Sequence, residues 1–481
     1  MSQLSATFQK FPRTFWVTNT LELFERWAYY GMFTVISVYL TNPVSTGGLG
    51  FTQEQRGIMQ AIATGILYLL PILGGAIADR FGYRKVLLGA FASLAAGYLA
   101  MGLTSTYATV FTAFLLVALG GAFFKPVIVA TVSKTTTRET GTLGFGIFYM
   151  IVNVGGFIGP FVASKLRDIN WFYVFLMSGA VIVLNILLLH FYKEPVSETE
   201  KPTEKLGETF RKLFTNTVTV LKDVRFDLFL LIITGMWVMY MQIFFTLPVY
   251  LTEWINTSDL YNSSSIIAAV FGTTENGKGI IRPEMILNIP ALTIIIFQVF
   301  MSNRLRKTHP VHSMIAGIMV IALGFIIFTL STWGTWLVVG IAVLAFGEMA
   351  SSPRIQEYIS SIAPGDKVAL YMGYSFLPVA GGNVFGGLLS GSLYAKLSDK
   401  YAFLKDYLVS NGIEKMETIR DMDGALLFNQ TVEKMGVSPE ELTSLLYTTY
   451  RPGKIWWIFA AIGIATSLLL LLYNQFLLKN K

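Results

Sequence analysis

Twelve apolar segments, each near twenty residues or longer, constrain this chain more than any other feature. They run at 15–42, 54–79, 84–104, 106–133, 142–164, 170–192, 226–254, 284–303, 310–331, 333–362, 368–396 and 453–478. About 20 apolar residues suffice for a helix to cross a bilayer. Within a bilayer only helices and closed barrels satisfy their own backbone groups. The pattern predicts an all-α membrane protein with twelve transmembrane helices. Charged residues make up 14% of the chain and hydrophobic ones 53%, against about 25% charged in soluble globular proteins. That balance overrides the length, 481 residues, which alone would suggest about three soluble domains.

Lys and Arg in short loops set the orientation. Lys10, Arg13, Arg80, Arg84, Lys85, Lys134, Arg138, Arg304, Arg306, Lys307, Lys479 and Lys481 fall on one side, while the loops near 43–53, 104–107 and 331–334 carry none. Both termini are therefore expected in the cytoplasm, in a multi-pass protein of the plasma membrane (the inner membrane of a Gram-negative host). The expected organisation is an N-terminal six-helix bundle over 1–193, a polar cytoplasmic linker over 194–225 and a C-terminal six-helix bundle over 226–481. Two halves around a midplane site are a common transporter plan. Residues 397–452 are polar and read as a small external cap rather than a disordered loop. Long segments translocate regardless of charge, so the cap's lysines do not oppose this topology. "SPEELTSLLYTTY" opens with a capping box, Ser438 and Glu441, and predicts a helix; "DGALLFNQTVEKMG" predicts another, closed by Gly436.

With no cysteine in the chain, disulfides, thiolate metal sites and cysteine nucleophiles are excluded. The three histidines, His190, His309 and His312, fall near predicted helix ends, so an intramembrane proton site must use carboxylates. No metal-ligand cluster or nucleophile–base pairing is visible; an enzyme is not expected, nor a cofactor or metal. The net charge of +7 follows from the basic loops and needs no nucleic acid. The first apolar segment lacks a small-residue cleavage site, so no cleavable signal is expected. Sequons at Asn256, Asn262 and Asn429 matter only in a glycosylating host.

Charges inside the apolar segments need a reason. In "ELFERWAYYG", Glu22, Glu25, Arg26, Tyr29 and Tyr30 share one helical stripe by their spacing. A charge at the bilayer centre costs at least about 2.5–3.5 kcal/mol, so the stripe must face protein or a watery cavity, unless it is a cluster snorkelling from the helix end. Lys125 in "VALGGAFFKPVIVATV" and Glu348 in "VLAFGEMASSPRIQEY" are isolated charges in different halves. They read as partners for opposite ends of a polar ligand, or as a structural ion pair. Pro126 should bend or weaken its helix. Glu22, Glu25 and Glu348 against Arg26 and Lys125 leave the set one positive charge short, and a proton or another cation would balance it. Asn153 and Asn288 complete the polar inventory and serve either a ligand or a neighbouring helix. Gln242 and Pro248 in the seventh segment carry a weaker signal, and the glycines of "GGNVFGGLLSG" read as close helix packing.

At these residues the chain resembles the proton-dependent oligopeptide transporters, the POT or PTR branch of the major facilitator superfamily, over nearly its whole length. "ELFERWAYYG" is similar to the E-x-x-E-R-F-x-Y-Y-G signature, with Trp27 where Phe is usual. "GGAFFKP" resembles the segment bearing the family's helix-four lysine. "FYMIVNVGG" is similar to F-Y-x-x-I-N-x-G-S, departing at Val152 and Gly156, and "GEMASSP" to G-E-L-x-x-S-P. "GGAIADRFGYRK" resembles the facilitator loop between helices two and three. The resemblance implies a major facilitator fold and a symporter of protons with di- and tripeptides, with Glu22, Glu25 and Arg26 in proton coupling. It implies Arg26 and Lys125 near the peptide carboxylate, Glu348 with Asn153 and Asn288 at the amino end and backbone, and Tyr29, Tyr30 and Tyr68 lining the pocket. The family's acid midway along helix seven has no counterpart in "VMYMQIFF", and the cap is no feature of its ordinary bacterial members. The expected partners are small peptides, protons and the lipid bilayer, for a monomer. A carrier of another small polar solute and a receptor using the cap are the alternatives.

Overall fold

The structure, a computed structural model, describes residues 11–137, 140–195, 222–275, 277–305, 307–364 and 368–475, with 211, 215 and 220. Lys10, Arg138, Arg306, Lys479 and Lys481 of the basic set, and most of the 194–225 linker, lie outside these residues. The order begins α1 (Arg13–Thr41), α2 (Gln53–Leu69), α3 (Pro71–Phe81), α4 (Tyr83–Leu103), α5 (Tyr107–Lys134), α6 (Gly141–Arg167) and α7 (Trp171–Leu188). The seventh apolar segment is split into α8 (Val224–Tyr240), α9 (Gln242–Phe245) and α10 (Leu247–Trp254). Then come α11 (Ser258–Ser263), α12 (Ser265–Phe271), a hairpin of β1 (Gly272–Glu275) and β2 (Lys278–Ile281), and α13 (Pro283–Ile286). The chain continues through α14 (Ile289–Leu305), α15 (Pro310–Ile327), α16 (Gly334–Ile362), α17 (Val368–Tyr374) and α18 (Leu377–Leu397). The cap holds α19 (Lys400–Ser410), α20 (Met416–Ile419), α21 (Gly424–Met435) and α22 (Pro439–Tyr450), and α23 (Lys454–Tyr473) is the last helix described.

Proline explains several departures from unbroken segments. Its ring fixes φ and removes a donor, which suits a helix start. Pro71 opens α3, where the second segment bends by 51°, and Pro248 opens α10. By contrast α5 runs on through Pro126, and α6 and α16 through Pro160 and Pro353. Among the described residues nine helical stretches are long and apolar enough to cross a membrane, and the bent α2–α3 pair makes a tenth. The charged α1 and the 17-residue α14 occupy the two remaining expected segments.

The chain divides into two compact units: Met1–Met32, Ile62–Leu231 and Tyr358–Ala380 form one, and Phe33–Ala61, Ile232–Glu357 and Gly381–Lys481 the other. In the first, α4 packs on α5 with so little space that a Cβ at Gly120 would lie 2.7 Å from the Ala90 carbonyl oxygen. Phe11, Phe15, Val132 and Ile147 form an apolar cluster there. In the second, Trp456 is fully buried, with ring centroids of Tyr250, Phe325 and Phe328 at 5.1, 5.6 and 5.1 Å. The β-hairpin was not expected from the sequence; it pairs antiparallel from Gly272 opposite Ile281 to Glu275 opposite Lys278.

Within 397–452 the two helices expected from the sequence form. Ser438 and Glu441 form the reciprocal capping box of α22, and Gly436, at φ 65°, closes α21. Two helices were not foreseen: α19, capped by the Asp399 carboxylate, and the short α20. Leu404, Leu408, Leu427, Leu442 and Leu446 are buried and give the cap an apolar interior. Each such leucine stabilises it by about 2 kcal/mol.

Candidate functional site

The stripe on α1 is withdrawn from water: Glu25 is fully buried, and Glu22 and Arg26 are each 4% exposed. Arg26 Nε donates to Glu25 Oε2 at 2.6 Å, a second guanidinium nitrogen pairs with the same oxygen, and Nε lies 3.3 Å from Glu22 Oε1. The guanidinium also stands 5.2 Å from the Tyr29 ring centroid and 5.9 Å from that of Tyr30. Glu25 Oε1 is buried and has no hydrogen-bond partner among the described residues. One oxygen of this carboxylate is thus occupied and the other is open. The stripe is an interior ion cluster, not a helix-end snorkelling group.

Two neighbours hold this part of α1. A Cβ on Gly155 of α6 would lie 2.5 Å from the Leu23 carbonyl oxygen and 2.8 Å from Arg26 Cβ, and one on Gly159 would lie 2.4 Å from the Trp27 carbonyl oxygen. Small residues four apart let helix backbones touch. On α7, Ser178 Oγ donates to the Ala28 carbonyl at 3.0 Å and Asn185 Nδ2 to that of Leu21 at 2.9 Å. Bare glycine and two side-chain donors thus fix the register of the charged turn.

Lys125 on α5 extends to Tyr68, with Nζ 4.6 Å from the ring centroid, and has no ion-pair partner in its unit among the described residues. Asn153 turns back on its own helix, its Nδ2 donating to the Tyr149 carbonyl at 2.8 Å. In the second unit, the Tyr240 hydroxyl donates to Glu348, which has no cationic partner there among the described residues. Asn288 is 5% exposed just before α14. The structure therefore gathers Glu22, Glu25, Arg26, Tyr29 and Tyr30 into one cluster. It sets Lys125 on Tyr68, and Glu348 on Tyr240.

The sequence reading missed three buried groups. Tyr240 carried no distinguishing pattern. Glu284, fully buried in α13, opened an apolar segment and could have been flagged as a charge at its margin. Arg56, fully buried on α2, is the third. It donates to Gln53 Oε1 and Gln60 Oε1 at 3.0 Å each, to the Phe245 carbonyl at 2.5 Å and to the Ser390 carbonyl at 3.4 Å. Gln60 Nε2 passes on to Ser37 Oγ at 2.8 Å, and Ser37 to the Phe244 carbonyl at 3.0 Å. Gln242, given little weight from sequence, bridges the Val238 and Gly386 carbonyls at 2.8 and 3.1 Å.

Helices of this length and apolarity, with ionisable side chains buried among them, define a multi-pass membrane protein. The Major Facilitator Superfamily model matches residues 23–274. The chain belongs to that superfamily and has its fold. It is 27% identical over 199 residues to the peptide transporter YePEPT of Yersinia enterocolitica, covering 40% of this chain and 39% of that one. It is 25% identical over 372 residues to the multidrug resistance protein MdtH of Photorhabdus laumondii, covering 76% and 83%. A crystal structure of a POT family transporter in complex with a thioalcohol-conjugated peptide superposes with a TM-score of 0.71 at 18% identity, covering 98% and 99%. The chain thus matches about two fifths of the curated peptide transporter's length. YePEPT and the solved POT family protein are both named as transporters; the similarity to the solved structure, at 18% identity, is one of fold.

Proposed function

We propose that the protein is a proton-coupled symporter that imports di- and tripeptides by alternating access of its two six-helix bundles, 1–193 and 226–481. It works as a monomer in the plasma membrane with both termini cytoplasmic. The observation that carries this reading is the half-satisfied Glu25 carboxylate: Arg26 occupies one oxygen while the other is buried and free. A proton arriving there converts an ion pair into a neutral acid beside a released cation. Arg26 then joins Lys125 in attracting a peptide carboxylate, a contact that a low-dielectric interior strengthens. Glu348 and Asn288 receive the peptide's amino end, and Asn153 its backbone. Tyr29, Tyr30 and Tyr68 flank the cations, and Glu22 shares the proton. Peptide transporters among the relatives and structural neighbours support the substrate class.

The test is uptake of Ala-Ala into proteoliposomes under an inward proton gradient. Lys125→Ala and Glu25→Gln should each abolish gradient-driven uptake, and unchanged uptake in both would overturn the mechanism. A second reading, proton-coupled movement of another small solute, is favoured by the similarity to MdtH. Competition by a panel of dipeptides separates the two.

A further inference from the structure

The cap and the connection from α10 to α13, which the proposed cycle does not use, line a cavity of about 1160 Å³. Ligand pockets commonly measure about 300–1,000 Å³, so a dipeptide with some water fits. Lys400, at the start of α19, reaches into it. Its Nζ donates to Thr443 Oγ1 at 2.9 Å and stands 4.3 Å from the Phe428 ring centroid and 5.9 Å from that of Trp254. Both rings belong to the interior, 9% and 3% exposed, so the ammonium is held between fixed walls.

The Glu253 and Glu440 carboxylates act on the Lys400 charge at longer range, but neither meets its ammonium directly. Lys278 pairs with Glu440 on the cavity wall, and Arg282 pairs with Glu275 at 2.9 Å. The Glu253 carboxylate accepts from the Tyr394 hydroxyl at 2.8 Å and from the Lys400 backbone amide at 3.2 Å, not from its ammonium. No carboxylate lies within ion-pair reach of Lys400 Nζ among the described residues. An ammonium carries three donors, and one is used here. Aromatic faces attract a cation without neutralising it. What remains is a positive charge with open donors, set in an aromatic-walled cavity.

We propose that the cap cavity is a second binding site, for a small carboxylate carrying an apolar side chain, with the carboxylate on Lys400 and the side chain against Phe428 and Trp254. The C-terminal end of a short peptide has this chemistry, and in that identification the proposal rests on the peptide-transport reading. The cap then acts as a holding chamber that raises the local concentration of substrate.

The test is equilibrium binding of radiolabelled Ala-Phe to the purified full chain carrying Lys125→Ala. One saturable site is expected to remain. Adding Lys400→Met should weaken it at least about tenfold, as loss of a charged hydrogen bond does, while Lys400→Arg keeps it and the C-terminal amide of Ala-Phe does not compete. Absence of saturable binding in Lys125→Ala, or binding indifferent to Lys400→Met, overturns the proposal. If Lys400→Met does not fold, Phe428→Leu should weaken the same binding several-fold, and no change is equally fatal. Failure of the transport reading shows elsewhere, as absent gradient-driven uptake by the unaltered protein.

Discussion

Arg26 and Arg56 are both removed from water, at 4% and 0% exposure, yet their surroundings have almost nothing in common. Arg26 faces two carboxylates of its own helix, one of them with an unpartnered oxygen. Among the described residues Arg56 donates only to neutral oxygens: two glutamine side chains and two backbone carbonyls. A carboxylate can take up a proton and change the balance around its cation, whereas an amide or carbonyl oxygen cannot do so in the accessible pH range. In the proposed function, the first arrangement is the one that switches. The second holds α2 to the break between α9 and α10 and to α18 through acceptors that do not titrate.

The largest effect should come from Arg26→Ala. It strands two buried carboxylates, at a cost of about 3–5 kcal/mol, seen as a drop in thermal stability in detergent. Adding Glu25→Gln should restore part of the loss, and no restoration would mean that the pair does not act as a unit. Arg56→Gln should cost less, about 1–3 kcal/mol, the penalty of leaving buried acceptors unmet. Its decrement should be the same at mildly acidic and neutral pH; a clear pH dependence would erase the contrast with Arg26. The smallest effect belongs to a charge at the surface. Partial burial opposes ionisation of Asp423, but hydrogen bonds from the Ser45 hydroxyl and amide and from the amides of Leu426 and Ala425 outweigh it and hold the carboxyl below the usual range. A depressed carboxyl stabilises above its unfolded pKa, and the gain is lost as pH falls through the folded value. Asp423→Ala should therefore cost about 1 kcal/mol at neutral pH, the worth of a helix N-cap, and less in strong acid. A melting curve at each pH checks the sign.

The same contrast marks what could be read in advance. The stripe from Glu22 to Tyr30 was legible because three charges at helical spacing stand out in an apolar run, and the capping box at Ser438 because its residues are local. Arg56 was not read, because two of its partners, the Phe245 and Ser390 carbonyls, lie on α9 and α18, far away in sequence, and a single arginine near a segment's start looks like an ordinary helix end. The split of the seventh segment was half legible: Pro248 marks the second break, but nothing local marks Met241. The hairpin was legible in principle, since "ENGK" is a two-residue turn signal, and Gly277 adopts the positive φ, 77°, that such turns require. Lys400 gave no hint of its role, because the rings around it come from α10 and α21.

The glycine face of α6 beneath Arg26 has a mechanical consequence. Where Gly155 and Gly159 meet α1, α6 contributes main chain and no side chain to the contact. Such a seam should couple a shift or roll of α6 to the charged turn on α1. Any methyl group added there should act as a wedge, jamming the charged turn without removing a single polar atom.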